Sequence, residues 1–223
     1  TDQEYQDAAK FTFIYVIVSV VIEIILGLFL AFLFNRRIYG RGFMRSLMIL
    51  PIFATPFAIG FMFFTILFEI SGPLAWMGIP FLSNHNWAPF SVMLVDIWQW
   101  TPFCFLVFLA ALQGIPDDLI EAATLDTKSA YKIWTSVILP LLQPIIVLVI
   151  LLRVAESAKL YDYIASLTKG GPGTATQSVS FLVFNKAFKM NDFGYASAGS
   201  FLMLIVVMVF VMLFFTRLRK TYE

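Results

Sequence analysis

Residues 121–140 read EAATLDTKSAYKIWTSVILP. They form a polar, amphipathic island between two strongly apolar stretches, roughly Trp87–Leu112 and Val137–Ala155. The island has its own helical punctuation. Pro116-Asp117-Asp118 is a helix start, with proline near the first turn and carboxylates complementing the positive end of the helix dipole. Leu119, Ile120, Ala122, Ala123 and Leu125 give that helix a mostly apolar body with Glu121 exposed. Asp126 or Thr127 then caps a second short helix, Lys128–Val137, before Pro140 opens the next apolar run. Helix, turn and helix make a compact knob. A membrane protein that hangs such a knob between spans either docks a soluble partner on it or lays it on lipid headgroups.

The rest of the chain explains why the island is an exception. Of 223 residues, 60% are hydrophobic and 13% charged, against roughly 45–50% and 25% in soluble domains. Five segments are apolar over the length of about twenty residues that a helix needs to cross a bilayer. They are Phe11–Phe34 (A), Arg45–Phe68 (B), Trp87–Leu112 (C), Val137–Ala155 (D) and Phe193–Phe215 (E). The fold class is all-α, a polytopic transmembrane helix bundle, with 1–223 as one membrane domain and 113–140 as its polar knob. Pro51 and Pro56 predict a kink in B, tolerable in a membrane because neighbouring helices satisfy the freed backbone.

Orientation follows from basic residues in the loops. Between A and B stand Arg36, Arg37, Arg41 and Arg45 with no acid, so this loop is inside. Alternation puts 69–86 and 159–192 outside and 113–136 inside. The tail, with Arg217, Arg219 and Lys220, is then also inside. Lys159, Lys169, Lys186 and Lys189 stand against the rule in the 159–192 loop, outvoted by the two other loops. The amino terminus, TDQEYQDAAK, falls outside and carries no signal peptide. An upstream span is therefore expected, making six in the intact subunit.

Several function classes drop out. One histidine (His85) and one cysteine (Cys104, in an apolar run) leave no metal site, disulfide framework or catalytic triad. A net charge of +1 without a basic patch gives no sign of nucleic acid. Lys169-Gly170-Gly171-Pro172-Gly173 lacks the phosphate-loop spacing and lies outside, so it is a tight reversal.

Glu121-Ala122-Ala123 with Asp126 and Ile138-Leu139-Pro140 resembles the coupling loop of binding-protein-dependent ABC importer permeases. The likeness extends over nearly the whole chain. It includes Phe32-Leu33-Phe34-Asn35, Arg45, Leu50-Pro51, Leu167 to Gly173 with Thr176, Ala187-Phe188 and Gly194-Tyr195-Ala196. Within that family it is similar to the carbohydrate branch that includes maltose and glycerol-3-phosphate permeases. One departure is Thr127, where the family commonly has Gly after the loop's aspartate.

The resemblance implies a type I importer permease fold in the cell (inner) membrane and the import of a sugar, sugar alcohol or related small carbohydrate. It implies no catalytic residue and no cofactor in this chain. ATP and Mg²⁺ would belong to two partner ATPase subunits that engage Glu121, Ala122, Ala123, Asp126 and Thr127. A second, different permease chain would complete the pathway, and an extracytoplasmic solute-binding protein would deliver substrate. The alternatives are a secondary transporter or channel, which needs no such knob and shows related halves with discontinuous helices, and a membrane-embedded enzyme, which needs a clustered acid or histidine site.

Polar residues inside spans are costly in lipid and mark the pathway. Asp96, Gln99 and Trp100 lie within about one turn of C and suit a sugar, whose hydroxyls pair with polar groups while its ring stacks on indole; the alternative is an interfacial anchor. Glu23 lies on a close-packing stripe of A with Ser19, Gly27 and Ala31 and is expected to hydrogen-bond a neighbouring helix. Arg153, Glu156 and Lys159, three apart at the end of D, read first as an internally paired charge ladder. Glu156 and Lys159 are the further pathway candidates.

Overall fold

A computed structural model describes residues 3–35 and 39–222. Arg36 and Arg37, and the side chains of Arg41, Arg217, Arg219 and Lys220, on which the orientation rests, lie outside the described residues.

Span A is α1 (Gln3–Asn35), about 50 Å long by the helical rise and so longer than the roughly 30 Å hydrocarbon core. Its N-terminal end stays packed: Glu4 pairs with Lys186 at 2.8 Å, Tyr5 Oη donates to the Gly199 carbonyl at 3.2 Å, and Thr12 Oγ1 accepts from the Val179 amide at 3.1 Å. Its C-terminal end is closed by Arg45, whose Nη2 donates to the Phe34 carbonyl at 2.8 Å, a cation on the negative end of the helix.

Span B is not one kinked helix. It is α2 (Arg41–Phe53) and α3 (Pro56–Leu67), bent by 100°. The cause is local. Pro56 disfavours helical backbone at Thr55; Ala54 (ψ 143) and Thr55 (ψ 143) are both extended. Thr55 then caps α3, its hydroxyl accepting from the Ala58 amide at 3.4 Å, with proline at the first helical position.

Span C is α4 (Trp87–Gln113), the central helix, against which α1, α2, α3 and α7 all pack. The α1–α4 contact uses the predicted small-residue stripe: Ser19, Glu23, Gly27 and Ala31 are all buried. A Cβ on Gly27 would lie 2.5 Å from the Cys104 Cβ, so only glycine permits this approach.

The polar knob is α5 (Asp117–Asp126) and α6 (Ala130–Ile133). From there the chain runs through a π-turn at Trp134–Ile138 into α7 (Leu139–Ser157), span D. Ser129, not Asp126 or Thr127, caps the second helix, accepting from the Lys132 amide at 3.5 Å. Thr127 is extended (φ −152, ψ 137), a conformation that needs no glycine.

After α7 the chain makes a second π-turn, Ile164–Thr168, and reverses through Lys169 and Gly170 at φ 55 and 88. It then forms α8 (Val179–Phe188), a short apolar helix inside what the sequence suggests is a loop. Span E is α9 (Phe193–Tyr222). In the 69–86 segment, Glu69 accepts from the Leu82 amide (2.7 Å), the Ser83 amide (2.7 Å) and the Ser83 hydroxyl (2.6 Å). Burial works against its charge, but these hydrogen bonds outweigh it and hold the carboxyl below its ordinary value.

The orientation is testable at exposed positions. Cysteines at Ser83 and Thr174 are expected to react with an impermeant thiol reagent in intact cells, and one at Ser129 is not. Cys104 is buried and gives no background. Labelling at Ser129 would overturn the orientation.

Candidate functional site

Three spans each carry a charged group into the bundle, and the structure brings all three together. Arg153 of α7 donates from Nε to Glu23 Oε2 at 2.6 Å and from Nη2 to Glu23 Oε1 at 2.8 Å. The same Nη2 meets Asp96 Oδ1 and Oδ2 at 3.2 and 3.3 Å. The residues are 1%, 0% and 2% exposed. The Arg–Glu pair is bidentate, the strongest geometry such a pair can adopt. The guanidinium also lies 4.6 Å from the centre of the Trp100 ring, a cation–π contact.

This corrects the charge ladder. Lys159 does pair with Glu156 at 3.1 Å, both well exposed, but Arg153 turns away from them into the bundle. Depth separates them: Arg153 lies on the buried side of α7 with Leu142 and Val149, whereas Glu156 and Lys159 stand where the apolar run ends. Glu23 is the inter-helix partner the stripe suggested, and its partner is a cation.

A second network adjoins the first. Trp100 Nε1 donates to Tyr163 Oη at 3.1 Å, Tyr163 Oη donates to Gln99 Oε1 at 2.7 Å, and Gln99 Nε2 donates to the Ala54 carbonyl at 2.8 Å. Gln99 thus caps the carbonyl at the break of span B.

A cleft of about 40 Å³ opens beside these groups, lined by Tyr15, Pro56, Asp96, Trp100, Arg153, Glu156, Ser157, Lys159 and the 160–163 turn. Asp96, Trp100, Glu156 and Lys159 from the sequence reading line it; Gln99 does not, being spent on Ala54 and Tyr163. Arg153, read first as part of a ladder, joins it, and Ser157 joins it unforeseen. Arg153 Nη1 and Ser157 Oγ are buried and have no hydrogen-bond partner among the described residues, so the cleft wall holds polar atoms with capacity to spare. A volume of about 40 Å³ admits water but falls far short of the roughly 300 Å³ of a ligand pocket. Among the described residues, no group of three or more His, Cys, Asp or Glu could hold a metal ion.

At the other end, Glu121, Ala122 and Asp126 are exposed on α5, while Ala123 is buried against its own chain. Leu125 is 89% exposed and Tyr131 also projects, two apolar side chains on the polar loop that the sequence reading did not single out as contacts. Trp134 stacks edge-on to Phe32 of α1, ring centres 4.9 Å apart. Trp134, Ile115 and Ile138 pack onto the inner core of Phe105, Phe108 and Leu142. The knob is therefore built onto the spans, not hung on a loose loop.

Residues 23–223 match the family model of the binding-protein-dependent transport system inner membrane component. The trehalose/maltose transport system permease protein MalF of Thermococcus litoralis is 38% identical over 205 residues, covering 88% of this chain and 69% of that protein. The multiple sugar-binding transport system permease protein MsmF of Streptococcus mutans is 31% identical over 229 residues, 100% of this chain and 79% of that one. Among solved structures, a bacterial alginate ABC transporter in complex with alginate pentasaccharide-bound periplasmic protein superposes with a TM-score of 0.88 at 21% identity. That match covers 100% of this chain and 81% of that one. At such identity the likeness speaks to the fold.

Proposed function

The chain belongs to the family of inner membrane components of binding-protein-dependent transport systems, and on that premise we propose that its Arg153 cleft is this subunit's share of a sugar pathway. The subunit is a membrane-spanning permease of an importer served by a solute-binding protein, a transport component and not an enzyme. The cargo is a carbohydrate or polyol, in keeping with relatives named for trehalose, maltose and multiple sugars. Two ATPase subunits that bind ATP and Mg²⁺ couple to Glu121 and its neighbours, and a second, different permease chain forms the opposite wall.

One observation carries the pathway assignment: polar atoms with unused hydrogen-bonding capacity, Arg153 Nη1 and Ser157 Oγ, share a cleft with the indole of Trp100. Hydroxyl-rich rings are recognised by that combination, polar groups around the edge and an aromatic face beneath. Closure to about 40 Å³ fits a resting state in which the route is shut.

Trp100→Ala and Glu156→Gln test it, with uptake and binding-protein-stimulated ATP hydrolysis measured in the same proteoliposomes. Uptake is expected to fall roughly tenfold or more with Glu156→Gln, since a hydrogen bond to a charged group contributes about 1.5–3 kcal/mol, and to fall with Trp100→Ala through loss of the stacking face. Stimulated hydrolysis is expected to persist, because the coupling knob lies at the opposite face. Unchanged uptake in both variants would remove the cleft from the route.

A further inference from the structure

The pathway reading leaves Gln99 unexplained, since it stands beside the cleft lining and not in it. It is 1% exposed in a central transmembrane helix, where an amide is costly unless both its ends are bonded. Both ends are bonded, and to two other elements: the amide nitrogen to the Ala54 carbonyl at the 100° break, the oxygen to the Tyr163 hydroxyl in the turn after α7.

Those two elements form one body. α3, just beyond the break, packs directly on the π-turn at Ile164–Thr168. A Cβ on Gly60 would lie 1.9 Å from Ser166 Oγ, so backbone meets side chain with no space between. Gln99, with Trp100 Nε1 on Tyr163 Oη, ties this body to α4 beside the cleft. The break leaves two extended residues at Ala54 and Thr55, the kind of short segment that absorbs a hinge rotation.

We propose that Gln99 and Tyr163 are positioning residues forming a releasable latch, which holds α3 and the 164–168 turn against α4 and keeps the transporter in its closed resting state. The latch rests on the reading of the cleft as the route, since it is the cleft that the latched body covers. A latch of neutral hydrogen bonds suits the task. Each bond is worth a modest factor, and hydroxyls of an arriving sugar offer the same donors and acceptors, so the bonds exchange at little net cost. The buried ion pairs of Arg153, by contrast, are too expensive to break in each cycle.

The test uses the whole complex in proteoliposomes, with its binding protein, and measures ATP hydrolysis without sugar or binding protein. Tyr163→Phe deletes one hydroxyl with little change of shape; Gln99→Leu deletes both amide bonds. Each removes two hydrogen bonds and is expected to raise basal hydrolysis by at least roughly fivefold, the shift in a two-state balance that loss of even one such bond produces. The maximal rate with binding protein is expected to stay near that of the unmodified complex. A residue that merely supports the fold would lower both rates together. Basal rates within twofold of the unmodified complex in both variants would overturn the latch, and so would a joint fall of basal and stimulated rates. The outcome is separable from the pathway assignment, which is read by uptake in Trp100→Ala: a raised basal rate with Trp100→Ala uptake intact would keep the latch and discard the route.

Discussion

Arg153→Met is expected to destabilise the subunit by about 3–5 kcal/mol, the cost of removing one partner from a buried ion pair and leaving charge behind. Here it leaves two carboxylates, Glu23 and Asp96, each 2% exposed or less, facing each other without a cation. Yield in the membrane and the melting temperature of the purified complex should both fall. The triple change Glu23→Gln, Asp96→Asn, Arg153→Met is expected to recover most of the loss, because buried charge clusters replaced as a whole often cost little. Lys159→Ala, which breaks only an exposed pair, should change stability by under about 1 kcal/mol. An Arg153→Met protein as stable as its parent would show that the triad contributes nothing to the fold.

Loss of coupling is the second large effect. Glu121→Lys is expected to leave the subunit folded and inserted, since Glu121 is exposed and pairs with no cation among the described residues. Attachment of the ATPase subunits should weaken by roughly 2–5 kcal/mol, as for reversal of a charge at a desolvated contact. Leu125→Asp should act similarly, because a leucine 89% exposed on the loop between spans C and D offers apolar surface for a partner to bury. Ala123 faces inward, so Ala123→Leu should harm the subunit's own packing and not the interface alone. Co-purification of ATPase with each variant separates these outcomes; wild-type recovery with both Glu121→Lys and Leu125→Asp would dismiss the docking assignment.

The bundle was legible because each span had to be apolar throughout, and the coupling knob because it had to be polar between two such spans. The small-residue stripe of α1 was legible for a similar reason: four-residue spacing places Ser19, Glu23, Gly27 and Ala31 on one face whatever packs there. Which charge meets which was not legible. Arg153, Glu156 and Lys159 share a local spacing that predicts a ladder, and only the position of α7 against α1 and α4 shows that Arg153 faces inward. Span B defeated the reading for another reason. Two prolines announce a bend, but not that Ala54 and Thr55 both turn extended and open it to 100°, nor that the freed Ala54 carbonyl takes its hydrogen bond from Gln99, 45 residues further on. α8 is ten residues long, shorter than a span, and its apolar face is covered by Ala8 and Met203 from distant parts of the chain, so nothing local distinguished it from an apolar loop.

The triad also sets an order of assembly on the ribosome. Glu23 is made 130 residues before Arg153, and Asp96 57 residues before it. At about 5–20 residues per second, the first carboxylate waits on the order of ten seconds for its cation. During that time spans A and C cannot sit in lipid in their final, fully ionised arrangement. They must be held by the insertion machinery or keep water beside them until span D arrives. A nascent chain halted before Arg153 would therefore remain open to extraction and proteolysis, and the arrival of one arginine commits the whole bundle to the membrane.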